Sequence, residues 1–388
     1  MRRGDHKGAG KRIVYVQYTN PAGYPPLEHS SQILAEAGWD VLFLGTESWG
    51  SSSLRFPEHC RIRVLEMRRQ TSGWGQKLHY LLFCLWCIGW ILRNRTSWVY
   101  ASDLLSCPIA MIVSSLLGLP VVFHEHDSPS QEMSSGRVLR FCFWARGICA
   151  RRARICILPN GYRARRFVEQ TRCPHRPLEV WNCPRRDEIA PCRSVVPKRI
   201  GFLYHGSVVP ERVPLKLIDA LAQVSAEVRL TVVGYETAGS TGYLKIMRDR
   251  ARELGVENRL NLTGPLQRRE VFEISLRHDV GLALLPLKSG DINFVAMTGA
   301  SNKPFDYLAC GLPVLVSTLA EWEEMYVRSG FGMSCDPNSV ESIAAAMQWF
   351  CENPAEMRAM GERGRQKTLT AWNYEAQFQP VLEHLSRG

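Results

Sequence analysis

Residues 300–317 read ASNKPFDYLACGLPVLVS, and the reading of this stretch decides the fold. It spells a short helix followed by a buried strand. Ser301 or Asn302 caps the helix, and Pro304 suits its first turn. Gly311 supplies a left-handed stop and Pro313 bars continuation. Val314, Leu315 and Val316 form the apolar run of a parallel strand covered on both faces. The helix start gathers unsatisfied N–H groups beside Lys303, which favours an anion such as phosphate. Asp306 lies one turn in, where a carboxylate accepts hydrogen bonds from a sugar diol. Phosphate donors beside a diol acceptor predict a nucleoside-diphosphate site. The plainer alternative is a capped helix before a core strand, with no ligand.

Working outward, the second half of the chain repeats one pattern. Strands are expected at Ile200–Tyr204, Leu230–Val233, Leu260–Leu262, Val280–Leu285 and Val314–Val316, with helices between them. That is a doubly wound parallel sheet. The segment after its first strand is HGSVVPER, with Gly206, Ser207 and Arg212. Gly234 closes the strand TVVG, and Gly264 and Pro265 follow the next strand.

The first half opens as strand Ile13–Tyr18, helix Leu27–Ala37 and strand Val41–Leu44. The loop NPAGYPP between strand and helix sits where an α/β sheet binds ligands, which singles out Gly23 and Tyr24. It is not GxGxxG, so no dinucleotide fingerprint is present. Leu78–Leu92 is apolar and aromatic but short for a membrane span; it is a buried domain helix or an interfacial one. Further strands are expected at Trp98–Ala101, in VVFHEHD (residues 121–127), at Ile155–Leu158 and at Leu178–Trp181. His124 and His126 share one face of their strand, so a metal pair is an alternative there.

Length and charge bound the partners. A chain of 388 residues with 45% hydrophobic and 22% charged content builds two full cores and is not disordered. Residues 1–198 hold 28 Lys+Arg against 15 Asp+Glu, a charge of +13; the remainder has 20 against 22, or −2. Arg137–Arg176 alone carries 11 Arg and one acid, with Phe141, Phe143 and Trp144 interleaved. Such a run meets anionic lipid or a lipid-linked phosphate. No helix-turn-helix, zinc-finger or RNP pattern accompanies it, so nucleic acid is not the expected partner. The 13 Cys form no framework, and Cys84 and Cys87 lie in an apolar helical run, which fits a reducing, cytoplasmic compartment. No secretory signal is read before the first strand. Pro184–Lys198 reads as the linker.

The stretch SNKPFDYLACGLPV resembles the donor-nucleotide signature of GT-B glycosyltransferases of the retaining family 4 type. The resemblance implies two doubly wound, Rossmann-like α/β domains facing a cleft: residues 1–190 on the acceptor side, 191–370 binding the nucleotide sugar, and a terminal helix in 371–388 crossing back to the first domain. It assigns ribose binding to Asp306 and a place beside the donor and acceptor to His126, where Asp127 follows instead of the usual Glu. The family shows Gly-Arg after the first strand of the second domain and Lys six positions past the Gly. Here Gly206 is kept, Ser207 replaces the Arg, and Arg212 stands at the Lys position; Lys303 is the candidate to compensate. Of two Glu eight positions apart in the donor loop, the second matches Asp306 and the first falls at Thr298.

The expected catalytic residues are therefore His126, Arg212 and Lys303. The donor nucleotide is expected on Gly206, Ser207, Gly234, Gly264, Pro265, Asn302 and Asp306. The implied reaction moves a hexosyl group from a nucleotide sugar to a lipid-linked or saccharide acceptor, with retention, at the inner face of the cell membrane. There is no Asp-x-Asp, so no metal or other cofactor is expected, and Arg212 and Lys303 take the metal's part. The rivals are a GT-B epimerase or hydrolase, and a non-enzymatic binder of acidic polymer or nucleic acid.

Overall fold

The structure, a computed structural model, describes residues 11–47, 54–68, 74–129, 136–193, 199–237 and 239–387. The chain divides into two units. The first ends at Val180 and takes in the chain again from Phe378; the second includes Trp181–Gln377.

In the first unit the order is β1 (Arg12–Val16), α1 (Pro25–Glu36), β2 (Asp40–Thr46), β3 (Ile62–Met67), α2 (Trp74–Arg93), β4 (Trp98–Ser102), α3 (Cys107–Leu116), β5 (Val121–His124), α4 (Arg137–Arg152), β6 (Ile155–Leu158), α5 (Gly161–Thr171) and β7 (Leu178–Glu179). These strands form one parallel sheet in the order β3-β2-β1-β4-β5-β6-β7. β1, β4 and β5 are buried along their whole described apolar length, which is why they read as unbroken hydrophobic runs. β3 escapes sequence reading because it is an edge strand, IRVLEM, with Arg63 and Glu66 exposed.

The second unit runs β8 (Ile200–Val208), α6 (Lys216–Gln223), β9 (Val228–Glu236), α7 (Tyr243–Glu253), β10 (Leu260–Thr263), α8 (Arg268–Ser275), β11 (Val280–Ala283), the single turn α9 (Ile292–Val295), α10 (Asn302–Ala309), β12 (Val314–Ser317), the turn α11 (Ala320–Trp322), β13 (Gly332–Cys335), α12 (Val340–Glu352), α13 (Pro354–Thr370) and α14 (Tyr374–Arg387). Its parallel sheet has the order β10-β9-β8-β11-β12-β13. The doubly wound expectation holds in both units. In each, strand order reverses beside the first strand, at β1/β4 and at β8/β11, and such reversals are where open α/β sheets receive ligands.

Two expectations are revised. The segment after Val180 is not a free linker as far as Arg193, and residues 194–198 lie outside the described residues. Ala190 N–H donates to Ala309 O at 2.9 Å, and Arg193 Nη1 donates to His278 O at 2.6 Å. These contacts place the segment in the second unit, upstream of the expected boundary at residue 190. Second, Gly234 does not close its strand. β9 continues past it, and Gly234 pairs in register with Gly206 inside β8. A Cβ on Gly234 would overlap the Gly206 carbonyl oxygen, so the two backbones approach only because Gly234 has no side chain. α14 starts in the second unit and belongs to the first from Phe378 onward.

Candidate active site

The switch point of the second sheet collects most of the expected donor residues. β8 delivers His205, Gly206 and Ser207 at its carboxyl end. α10, ahead of β12, delivers Asn302, Lys303 and Asp306. Its start is as read: Ser301 is the extended cap residue, although its side chain makes no capping bond, and Gly311 closes the turn beyond its end at φ 68°. Ser207 Oγ accepts from Arg212 Nη1 at 2.6 Å, so the replaced family arginine and the substituted family lysine touch each other. Arg212 also lies over the Phe294 ring at 5.5 Å.

Lys303 is buried and runs past Gly206. A Cβ there would come within 2.8 Å of Lys303 Cε, and φ at Gly206 is +123°. Only glycine fits both restrictions. Burial first, and the Arg212 charge second, pull the Lys303 ammonium down to about 7, with Asp306 opposing. The structure therefore brings together two cations, one buried and one half-buried, at the place expected for the diphosphate.

Asp306 is held more tightly than a ligand-facing carboxylate read from sequence suggests. Its Oδ1 accepts from Arg268 Nη2 at 3.0 Å, and its Oδ2 from Asn302 Nδ2 at 2.9 Å. Arg268, at the start of α8, also forms a two-bond ion pair with Glu188. It lies 4.9 Å from the centroid of Phe272. His205 Nε2 is 3.6 Å from Asp306 Oδ2. Burial, then Lys303 and Arg268, keeps that imidazole well below its usual range, so it is neutral. Arg268, Glu188 and His205 were missed by sequence reading. Arg268 lies just past the Gly264-Pro265 loop, and its charge gave no hint of burial between two carboxylates. Gly264 and Pro265 themselves are exposed in that loop.

At Thr298, where the resemblance expects a carboxylate, one arrives from elsewhere. Thr298 Oγ1 donates to Glu321 Oε2 at 2.7 Å, and Glu321 belongs to α11.

The first unit builds its own cluster at the β1/β4 switch point. His126 is buried just past β5, and neither ring nitrogen has a hydrogen-bond partner among the described residues. Burial, then Arg163, pulls it down to about 3, so the ring is neutral. Tyr24 from the loop before α1 lies 5.6 Å from it, ring to ring, so the structure unites these two expected residues. Gly23 ends an exposed turn and is not drawn into the cluster by a side chain. The His124 ring is 3.7 Å from that of His126, but its Nδ1 is engaged with the Tyr100 hydroxyl at 2.6 Å. Among the described residues no group of three or more His, Cys, Asp or Glu is placed to hold a metal.

Asp103 anchors this cluster and was not singled out beforehand. Its Oδ1 accepts the His126 N–H at 2.8 Å, and Gln17 Nε2 donates to its Oδ2 at 3.4 Å. Its backbone, at φ 60° and ψ −179°, occupies a region nearly reserved for glycine, at a cost of about 1–3 kcal/mol. Burial first, and Asp127 second, push its carboxyl up to about 8. A protonated carboxyl there can donate to Gln17 Oε1, which has no partner among the described residues, once the Gln17 amide is turned over. A folded-state value above the unfolded one favours the native state at low pH, and the benefit is lost as pH rises to about 8. Asp103→Asn is therefore expected to flatten the fall in melting temperature between acid and mildly alkaline pH. Melts showing the same pH slope in parent and variant would exclude this role.

Comparison with known proteins agrees with the fold. Residues 187–367 match the family described as glycosyl transferases group 1, and residues 27–183 match the glycosyl transferase 4-like domain. HepE (Alr3699) of Anabaena, solved with UDP and glucose, is similar over 97% of this chain and 100% of its own, with a TM-score of 0.73 and 18% identity. Sucrose-phosphate synthase of Thermosynechococcus elongatus is similar over 97% and 98%, with a TM-score of 0.71 and 13% identity. Glycogen synthase of Mycobacterium tuberculosis is 25% identical over 127 residues, which are 33% of this chain and only 28% of that protein. Two parallel-sheet α/β units and two matched family domains place the chain among the GT-B glycosyltransferases of the family 4-like type.

Proposed function

We propose that the protein transfers a sugar from a nucleoside-diphosphate sugar to a lipid-linked or saccharide acceptor, with retention, in polysaccharide assembly at the cytoplasmic face of a membrane. The observation that carries this reading is the convergence of Arg212, Ser207 and Lys303 with Asp306 and Asn302 at the start of α10. In such a transfer the leaving diphosphate carries the developing charge, and positioned cations supply much of the catalysis. Arg212 offers a planar fork to the phosphate oxygens, and Lys303 a compact charge. His126, neutral and with free ring nitrogens, suits a hydrogen bond to a sugar hydroxyl. Glu321, held by Thr298, supports a donor-sugar contact from α11. UDP is the first nucleotide to try, because HepE was solved with UDP and with UDP-glucose.

A panel of UDP-, GDP- and ADP-sugars tests the proposal, read by calorimetry and by slow hydrolysis. One nucleotide sugar is expected to bind and to be hydrolysed, and both should persist in excess chelator. Activity that vanishes with chelator and returns with a divalent ion would sink the cation-only reading and revive His124 and His126 as ligands. Epimerisation with no transfer to any acceptor would favour the rival enzyme class.

A further inference from the structure

We infer that the exposed side of α2, together with α4, is a docking face that lies in the surface of an anionic bilayer. This deepens the proposed reading of a membrane-presented acceptor. α2 is apolar on two sides. Tyr80, Phe83, Cys84, Cys87 and Ile91 face the sheet and belong to the core of the first unit. On the other side, Trp74, Leu78, Leu81, Leu82, Leu85 and Leu92 are 50–85% exposed. Their spacing is helical, so they form one stripe along the helix. A soluble surface rarely leaves so many large apolar groups together in water.

The choice of occupant rests on charge. α2 carries no acid, its stripe begins beside Lys77, and it ends at Arg93. α4, which also contains no acid, packs on the same core, with the Tyr80 hydroxyl 3.3 Å from Cys142 Sγ. It exposes Phe141 and Trp144 beside Arg137 and Arg140. Apolar side chains whose charged neighbours on these two helices are all cations fit lipid tails below anionic headgroups. No described helix is long and apolar enough to cross a membrane, so α2 lies on the bilayer rather than through it.

The Arg-rich run contributes less than its sequence suggests. Arg146 is buried against Glu125, and Arg163 is buried against the His126 carbonyl. These two arginines are internal fasteners. The docking surface is the leucine stripe with its flanking cations.

Flotation with phosphatidylglycerol-containing vesicles and with neutral vesicles tests this. The parent protein is expected to float with anionic vesicles and to remain largely bound in high salt, because the leucines insert. Leu81→Ser combined with Leu85→Ser should lower the salt-resistant partition at least about tenfold, while binding of the nucleotide sugar stays at the parental value. Three results would overturn the docking face: no flotation of the parent, binding fully abolished by salt, or a double variant that floats as the parent does. Light scattering that shows a dimer broken by the double substitution would assign the stripe to self-association instead. Vesicle binding without any nucleotide-sugar binding leaves the docking face standing and overturns the transferase reading.

Discussion

Replacement of Lys303 by alanine is expected to lower turnover about 10²–10³-fold, the usual loss when one positioned donor is removed from a developing anion. The residue is buried beside Gly206 and close enough to Arg212 for the two charges to repel, which helps hold its ammonium near 7. Its folded-state value lies below the unfolded 10.5, so the ligand-free protein gains stability from this group as pH rises from about 7 towards that value. A diphosphate between the two cations reverses the balance and raises Lys303 again. Nucleotide binding near neutral pH should therefore take up a proton, and affinity should fall as pH climbs above about 7. Calorimetry in buffers of different ionisation enthalpy measures that uptake directly. Lys303→Ala should abolish both the uptake and the pH dependence, and its fold should survive because a costly buried charge has gone. Arg212→Ala should lower turnover as well, while keeping the fold through the remaining β8–β9 pairing. A Lys303→Ala enzyme with parental turnover, or a parent with no proton uptake, would remove Lys303 from the site.

How much of this was legible beforehand depends on which force fixed each residue. The helix at Asn302–Ala309 and the strand after it were readable because a cap, two prolines and Gly311 all point one way. The central strands were readable for a similar reason, since burial on both faces makes their runs mostly apolar. β3 was not, because its exposed Arg63 and Glu66 dilute the apolar signal, and β13 was not, because the four residues GMSC hold no β-branched or aromatic side chain. α2 shows the limit most plainly. Its composition fitted a buried helix somewhat better than an interfacial one, and only the packing of Tyr80, Phe83 and Cys87 separates its inner from its outer side. The long-range pairings were invisible for a different reason. Arg268 lies 80 positions from Glu188 and 38 from Asp306, and no local pattern marks an arginine that bridges them. Asp103 was hidden because its positive φ is a property of the backbone path.

Asp306→Ala is expected to weaken nucleotide binding by one to two decades, the worth of one lost charge-assisted hydrogen bond of roughly 1.5–3 kcal/mol. The carboxylate is already engaged by Arg268 and Asn302, which fixes its direction. A pre-oriented carboxylate is what a ribose diol requires. Its loss should not unfold the unit, because Arg268 retains its ion pair with Glu188. The loss should be confined to the ribose. UDP should bind the variant more weakly, whereas inorganic pyrophosphate, read by Arg212 and Lys303, should bind both proteins alike. A deoxyribose analogue should cost the parent what the substitution costs, and should cost Asp306→Ala nothing further. Asp306→Asn, which keeps an acceptor but not the charge, should fall between. If UDP binds Asp306→Ala with parental affinity, the carboxylate serves only to hold Arg268, and the ribose is bound elsewhere.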